Sequence, residues 1–255
     1  MQIKSRHDQI LNEFYKQYEH LETNSNEFTW DGPSNWDIWE REQPKILFLV
    51  KEARQGAHPS VSEQKIENKF VRNIARWKFA IQKIYIDKLV SLTFPSDTDL
   101  PEYNDDIAVV EVKKLNEEND SSNNREIFDY AFKDKILLRQ QIDLINPDIV
   151  ICCSTFDCYD VIYDYSYDNE EELVQIEKCG CWKLNNRLVV DFYHPSIWQQ
   201  WIDPNTIDRR CFDILCKLFK DEKVQGSFIR ASLKTSQTRL ANFSKTAFTL
   251  VNKGF

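Results

Sequence analysis

The run RLVVDFYHPSIW, Arg187 to Trp198, stops an apolar stretch abruptly at His194, Pro195 and Ser196. An imidazole held in one place can hand or receive a proton near neutral pH, so a fixed His194 is a hydrogen-bond donor for a polar ligand. Leu188 to Phe192 reads as a buried strand. Pro195 has no N–H for a sheet ladder and keeps His194 out of helical geometry, so the strand ends there and Ser196 can cap a following turn. The histidine is thereby placed at the carboxyl end of a strand, the edge of an open α/β sheet where ligands bind. Taken alone, the tripeptide reads more readily as a strand stop with a capped turn; the residues delivered beside it change that.

Those residues follow from the strands and helices that must position them. KILFLV, Lys45 to Val50, is a continuous apolar run after Pro44 and before the polar KEARQG, the pattern of a strand buried on both faces. DIAVVEV, Asp106 to Val112, reads as a second strand and PDIVICC, Pro147 to Cys153, as a third. Between them, helical spacing runs through Ile66, Phe70, Ile74, Trp77, Ile81, Ile84 and Leu89, and again through Ile127, Phe128, Ala131, Ile136, Leu137 and Ile142 after a cap at Asn124. A helix starts at Thr155, an acidic loop follows, and the strand at Leu188 is the fourth. Ile3 to Leu21 forms an amphipathic helix ahead of the sheet. Gly32 and Pro33 make a turn, and Ser34 or Asn35 caps a short helix bearing Trp36 and Trp39, which with Trp30 read as core or lid aromatics. Asn205 to Phe219 is the last clear helix, with Pro204 in its first turn.

Strands alternating with crossover helices predict an α/β fold, a three-layer αβα sandwich around a central four-stranded parallel sheet. Lys51 to Gly56, Glu111 to Asn116, Ser154 with Thr155, and Tyr193 to Trp198 then emerge on one edge and line one cleft. Lys51, Arg54, Lys113 and Lys114 are the phosphate contacts to expect there, against the ordinary reading of exposed, solvated cations. Tyr193, Trp198 and Trp201 are aromatics for stacking on a base, or core. Lys51, if desolvated, is also a Schiff-base nucleophile, although a structural ion pair is the stronger reading.

The 255-residue chain is rich in aromatics and poor in glycine, which excludes collagenous and low-complexity classes. No apolar run reaches the length of a membrane span and MQIKSRHDQI lacks a signal's apolar stretch, so a cytoplasmic protein is expected. Seven cysteines, an odd set, point to reduced thiols. Cys179 and Cys181 make only a CxC in a loop, and no metal or other cofactor is expected. The net charge of −8 counsels against a protein that coats duplex DNA without specificity. From Lys217 onward, however, eight basic residues stand against Asp221 and Glu222. The expected division is therefore an α/β domain with its N-terminal helical segment over 1–222 and a basic appendage over 223–255, suited to an anionic partner or simply solvated.

LFLVKEARQG after the first strand and DFYHPSIW after the last, with IAVVEVKK between them, resemble the motifs of the uracil-DNA glycosylase superfamily over roughly Pro44 to Phe219. The resemblance implies a four-stranded parallel sheet and cleavage of a base-sugar bond. Glu52 followed by Ala53 looks like the superfamily's glutamate-alanine branch, which gives Glu52 the task of orienting water or steadying the sugar cation and His194 that of donating to the departing base. Glu111 falls at the base-reading position, with Ala53, Tyr193 and Ser196 around the base. Where the family has an amide there, a carboxylate only accepts unless protonated, which favours an amino-bearing pyrimidine or modified base. Its other reading is an ion pair with Lys51, Lys113 or Lys114. The chain departs from the family's first motif at Lys51 and Arg54, where glycine and proline are usual. The family's iron-sulfur branch carries cysteines ahead of the first strand; none precedes Cys152, so no cluster is expected.

The expectation is a DNA glycosylase-like hydrolase acting on an unusual or modified base in DNA that is single-stranded or flipped out of the duplex. Its rival is a catalytically inactive glycosylase-fold protein that binds nucleic acid or a protein partner. A weaker third reading is hydrolysis or recognition of free nucleotides.

Overall fold

The runs ILFLV, IAVVE and IVICC form strands in which every residue is buried, as strands covered on both faces must be. They belong to a computed structural model that describes residues 2–21, 28–53, 68–88, 91–100, 105–116, 122–165, 171–184, 187–196 and 203–227. In chain order the elements are α1 (Gln2–Tyr18), β1 (Gly32–Pro33), α2 (Trp36–Trp39), β2 (Ile46–Val50), α3 (Lys69–Ile86), β3 (Ile107–Glu111), α4 (Asn124–Ile145), β4 (Ile149–Cys153), α5 (Phe156–Tyr163), β5 (Glu171–Ile176), β6 (Cys179–Leu184), β7 (Arg187–Phe192) and α6 (Pro204–Lys220). Short 3-10 turns lie at Glu19–Leu21 and Asp97–Asp99.

The molecule is mixed α/β, and its sheet is not the four-stranded parallel one expected. Among the described residues it has seven strands in the order β1-β3-β2-β4-β7-β6-β5. The run β3-β2-β4-β7 pairs in parallel. Antiparallel strands extend it at both ends: β1 beside β3, and the β5–β6 pair beside β7. The acidic loop expected before the last strand is therefore a hairpin. Its turn is Glu177–Lys178, with Glu177 at φ 57°, and no Asn-Gly or Asp-Gly pair marks it. Cys179 and Cys181 lie not in a loop but on β6, buried two residues apart on the same face.

Two cores flank the sheet. On one face α3 and α6 pack over Phe48, Val109, Ile151 and Val190; on the other, α1, α4 and α5 pack over Leu49, Val110, Val150 and Val189. From β2 the chain crosses to β3 on one side, then returns past β2 to β4 on the other. Crossovers of one hand in opposite directions put α3 and α4 on opposite faces. The reversal leaves the crevice between β2 and β4 as the switch point of the strand order. There the Thr155 hydroxyl, at the start of α5, donates to the Leu49 carbonyl at 2.8 Å. Asn123, one residue before the expected Asn124, caps α4 through the N–H groups of Arg125 and Glu126. Phe128 and Ile136, expected inward, are exposed, as is Phe132. Val224, beyond the boundary expected at 222, is buried in the core under α3 and α6.

Candidate functional site

Glu111 is the last residue of β3, paired with Val50 at the end of β2. Beyond the pair the two chains stay joined, with Val112 N–H to Val50 O at 3.0 Å and Lys113 N–H to Lys51 O at 2.9 Å. That continuation carries Glu52 and Ala53 alongside Glu111. The Ala53 N–H and the Thr29 hydroxyl hydrogen-bond its carboxyl group, yet burial, reinforced by the nearby Asp31, pushes its pKa up to about 8. The neutral form of Glu111 is therefore favoured relative to an exposed carboxyl group, and in that form it can donate as well as accept. Glu52 is also buried, and the Ser122 hydroxyl donates to its Oε1. The second oxygen of each carboxyl group is buried without a hydrogen-bond partner among the described residues. Lys51 donates to Asn124 Oδ1 at 2.7 Å.

Behind Glu111, on the α1 and α4 face, lies a closed polar network. Asp31 Oδ2 accepts from the Glu111 N–H and from Lys114 Nζ, each at 2.5 Å. Gln141 of α4 accepts from Lys114 Nζ at 2.9 Å and donates to Asp31 Oδ1 at 2.7 Å. The same amide nitrogen lies 3.2 Å from His7 Nε2 on α1. Burial holds His7 down at about 4, so its ring is neutral at pH 7. Its ring sits directly over Gly32, at φ 127°, where a Cβ would come within 2.6 Å of it. Lys113 is buried too, with Nζ 2.8 Å from Glu126. Lys113 and Lys114 were expected as surface phosphate contacts; both point into the protein and are paired with acids. The apolar neighbours Val112 and Leu115 draw this whole segment inward.

His194 stands two strand spacings from the Glu52 loop in the order β2-β4-β7, a separation of about 10 Å. Its Nδ1 accepts the Ser196 N–H at 3.2 Å and its ring lies against Phe70 of α3, centroids 5.9 Å apart. Pro195 O accepts from Asn73 Nδ2 at 2.7 Å, and the same amide donates to Asp208 Oδ1 of α6 at 3.1 Å. Arg76 reaches Asp208 at 3.4 Å and Asp97 at 2.8 Å; Lys69 lies 3.5 Å from Asp208. Tyr193 is not turned toward Glu52: its hydroxyl bonds Cys179 on β6, and it packs against the α3 and α6 core. Asp191, three residues before His194, is pushed up to about 6 by burial and by Asp157.

The structure thus gathers Glu52, Ala53 and Glu111 at one point of the sheet edge and sets His194 and Ser196 farther along it. Arg54, Trp198 and Trp201 lie outside the described residues. Asn73, Arg76, Asp208 and Gln141 are absent from the sequence reading, and all but Arg76 have a signal there. Those three occupy a helix position that the apolar periodicity assigns to the inner face: Asn73 between Phe70 and Trp77, Gln141 between Leu138 and Ile145, Asp208 ahead of Cys211 and Leu215. A polar residue in such a stripe is buried and must find partners. Asp31, in a stretch without periodicity, had none. No family model matches the chain, and no curated protein matches it either.

Proposed function

We propose that the chain is a nucleobase-excising hydrolase of the uracil-DNA glycosylase type, cleaving the N-glycosidic bond of an unusual or modified base. The observation that carries this reading is the hydrogen bond from the Ser196 N–H to His194 Nδ1. A neutral imidazole accepting on Nδ1 keeps its proton on Nε2, which makes it a donor to the oxygen of a departing base. Departure builds positive charge on the sugar and negative charge on the base. Glu52, with one oxygen held by Ser122 and the other unpartnered among the described residues, supplies the anion for the sugar or orients the attacking water. Glu111 presents to the base edge the one carboxyl oxygen that has no hydrogen-bond partner among the described residues, donating when neutral and accepting when ionised. The four strands paired in parallel and the motifs at their carboxyl ends support the likeness to that family.

A second reading, hydrolysis of a free nucleoside or nucleotide, is supported by the burial of Lys113 and Lys114, which removes two of the expected contacts to a phosphate backbone. The test is a panel of oligonucleotides bearing uracil, deaminated purines and modified cytosines, run beside the corresponding free nucleosides and nucleotides. Release of base from at least one member is expected, with Glu52→Gln and His194→Ala each lowering the rate on the order of 10²- to 10⁴-fold. Inactivity on every member, or a rate untouched by both substitutions, overturns the reading.

A further inference from the structure

The Pro195 carbonyl and the Ser196 N–H are two ends of one planar peptide unit and point in opposite directions. Asn73 grips the first, at 2.7 Å, and His194 Nδ1 receives the second, at 3.2 Å. We infer that Asn73, braced by Asp208, is the positioning residue that sets the tautomer of His194. Asn73 is buried and both its amide protons are engaged, one by Pro195 O and one by Asp208 Oδ1. Its own oxygen faces Arg76 Nη1 at 3.4 Å, which fixes the amide's orientation. Asp208 is held in turn by Arg76 and Lys69. Pro195 has no N–H, so its carbonyl is the one backbone group by which the turn can be gripped at that residue. With the carbonyl drawn toward α3, the peptide plane cannot rotate, and the Ser196 N–H stays aimed at Nδ1. The imidazole proton is left on Nε2. Ser196 itself is exposed, so without this grip its N–H would turn to water and Nδ1 would lose the donor that keeps it unprotonated.

The inference gains its catalytic meaning from the reading of His194 as donor to the base, but its test does not depend on activity. The full-length chain is labelled with ¹⁵N-histidine, and the four imidazoles are observed by long-range proton–nitrogen correlation at about pH 8, where unperturbed histidine is neutral. His194 is assigned by its loss in His194→Gln. In the parent protein His194 is expected as the Nε2–H form, with the Ser196 amide exchanging at least roughly tenfold more slowly than an unstructured amide. In Asn73→Ala, His194 is expected as a mixture of both tautomers while the chain stays folded by circular dichroism. If that variant does not fold, Asp208→Asn is read the same way. A pure Nε2–H signal retained in the folded variant overturns the inference, as does a Ser196 amide that exchanges freely in the parent. A protein inactive on the whole base panel, yet showing the Asn73-dependent tautomer, overturns the reaction and keeps the positioning role.

Discussion

Two buried polar networks meet the same sheet edge from opposite faces, and they are built differently. Under α1 and α4, Asp31, Lys114, Gln141 and His7 close on one another, and the Lys114 side chain is 0% exposed. Under α3 and α6, Asn73, Arg76 and Asp208 are buried, but the network runs out to Asp97, whose side chain is 50% exposed. The closed network backs Glu111 and binds α1 to the sheet. The open one grips a turn. Removing a member of the fully buried network leaves a charge unpaired in the interior, whereas the one that reaches the surface can be repaired from its rim.

That contrast is broken or sharpened most strongly by Lys114→Met, which strands Asp31 in the interior. A loss of about 3–5 kcal/mol is expected in urea unfolding, and a loss below that of any variant in the open network would refute the contrast between the two networks. Acid should act on the same region. The folded pKa of His7, about 4, lies below its ordinary 6.5, so the unfolded chain takes up its proton first. Stability is then lost as pH falls from 6.5 toward 4, by up to about 3 kcal/mol, and His7→Gln should flatten that part of the profile. Glu111 has the opposite sign: its raised pKa stabilises the fold below the ordinary carboxylate value of 4.5, and that contribution fades as pH rises through about 8. Asp208→Ala should cost less, about 1–3 kcal/mol, since Arg76 keeps Asp97 while Asn73 loses one acceptor. Asp97→Ala, at the wet end, should cost below about 1 kcal/mol.

Much of the frame was legible in the residues. The three apolar runs at Ile46, Ile107 and Ile149 became strands because strands buried on both faces need continuous apolar residues, and α3 and α6 follow their periodicity, while α4 buries Ile127, Ala131 and Ile142 but leaves Phe128 and Ile136 exposed. The β5–β6 hairpin was not legible, because a Glu-Lys turn carries none of the residues that usually accept positive φ. The carboxyl-end placement of Glu52, Glu111 and His194 follows from strand order alone. Their environment does not: Lys113 and Lys114 look like surface cations in sequence, and what turned them inward was the packing of Val112 and Leu115 beneath α1 and α4.

By itself the sequence determined where strands stop, since Pro195 ends a ladder whatever surrounds it, and which edge receives the polar residues. Only the tertiary structure decided what those residues are chemically. Whether Glu111 is an acid or an anion depends on how dry its site is and on Asp31, eighty positions away in the chain. Which nitrogen of His194 holds the proton depends on Asn73, another distant residue. Protonation follows from desolvation and from partners brought together by folding, and neither is encoded in local pattern.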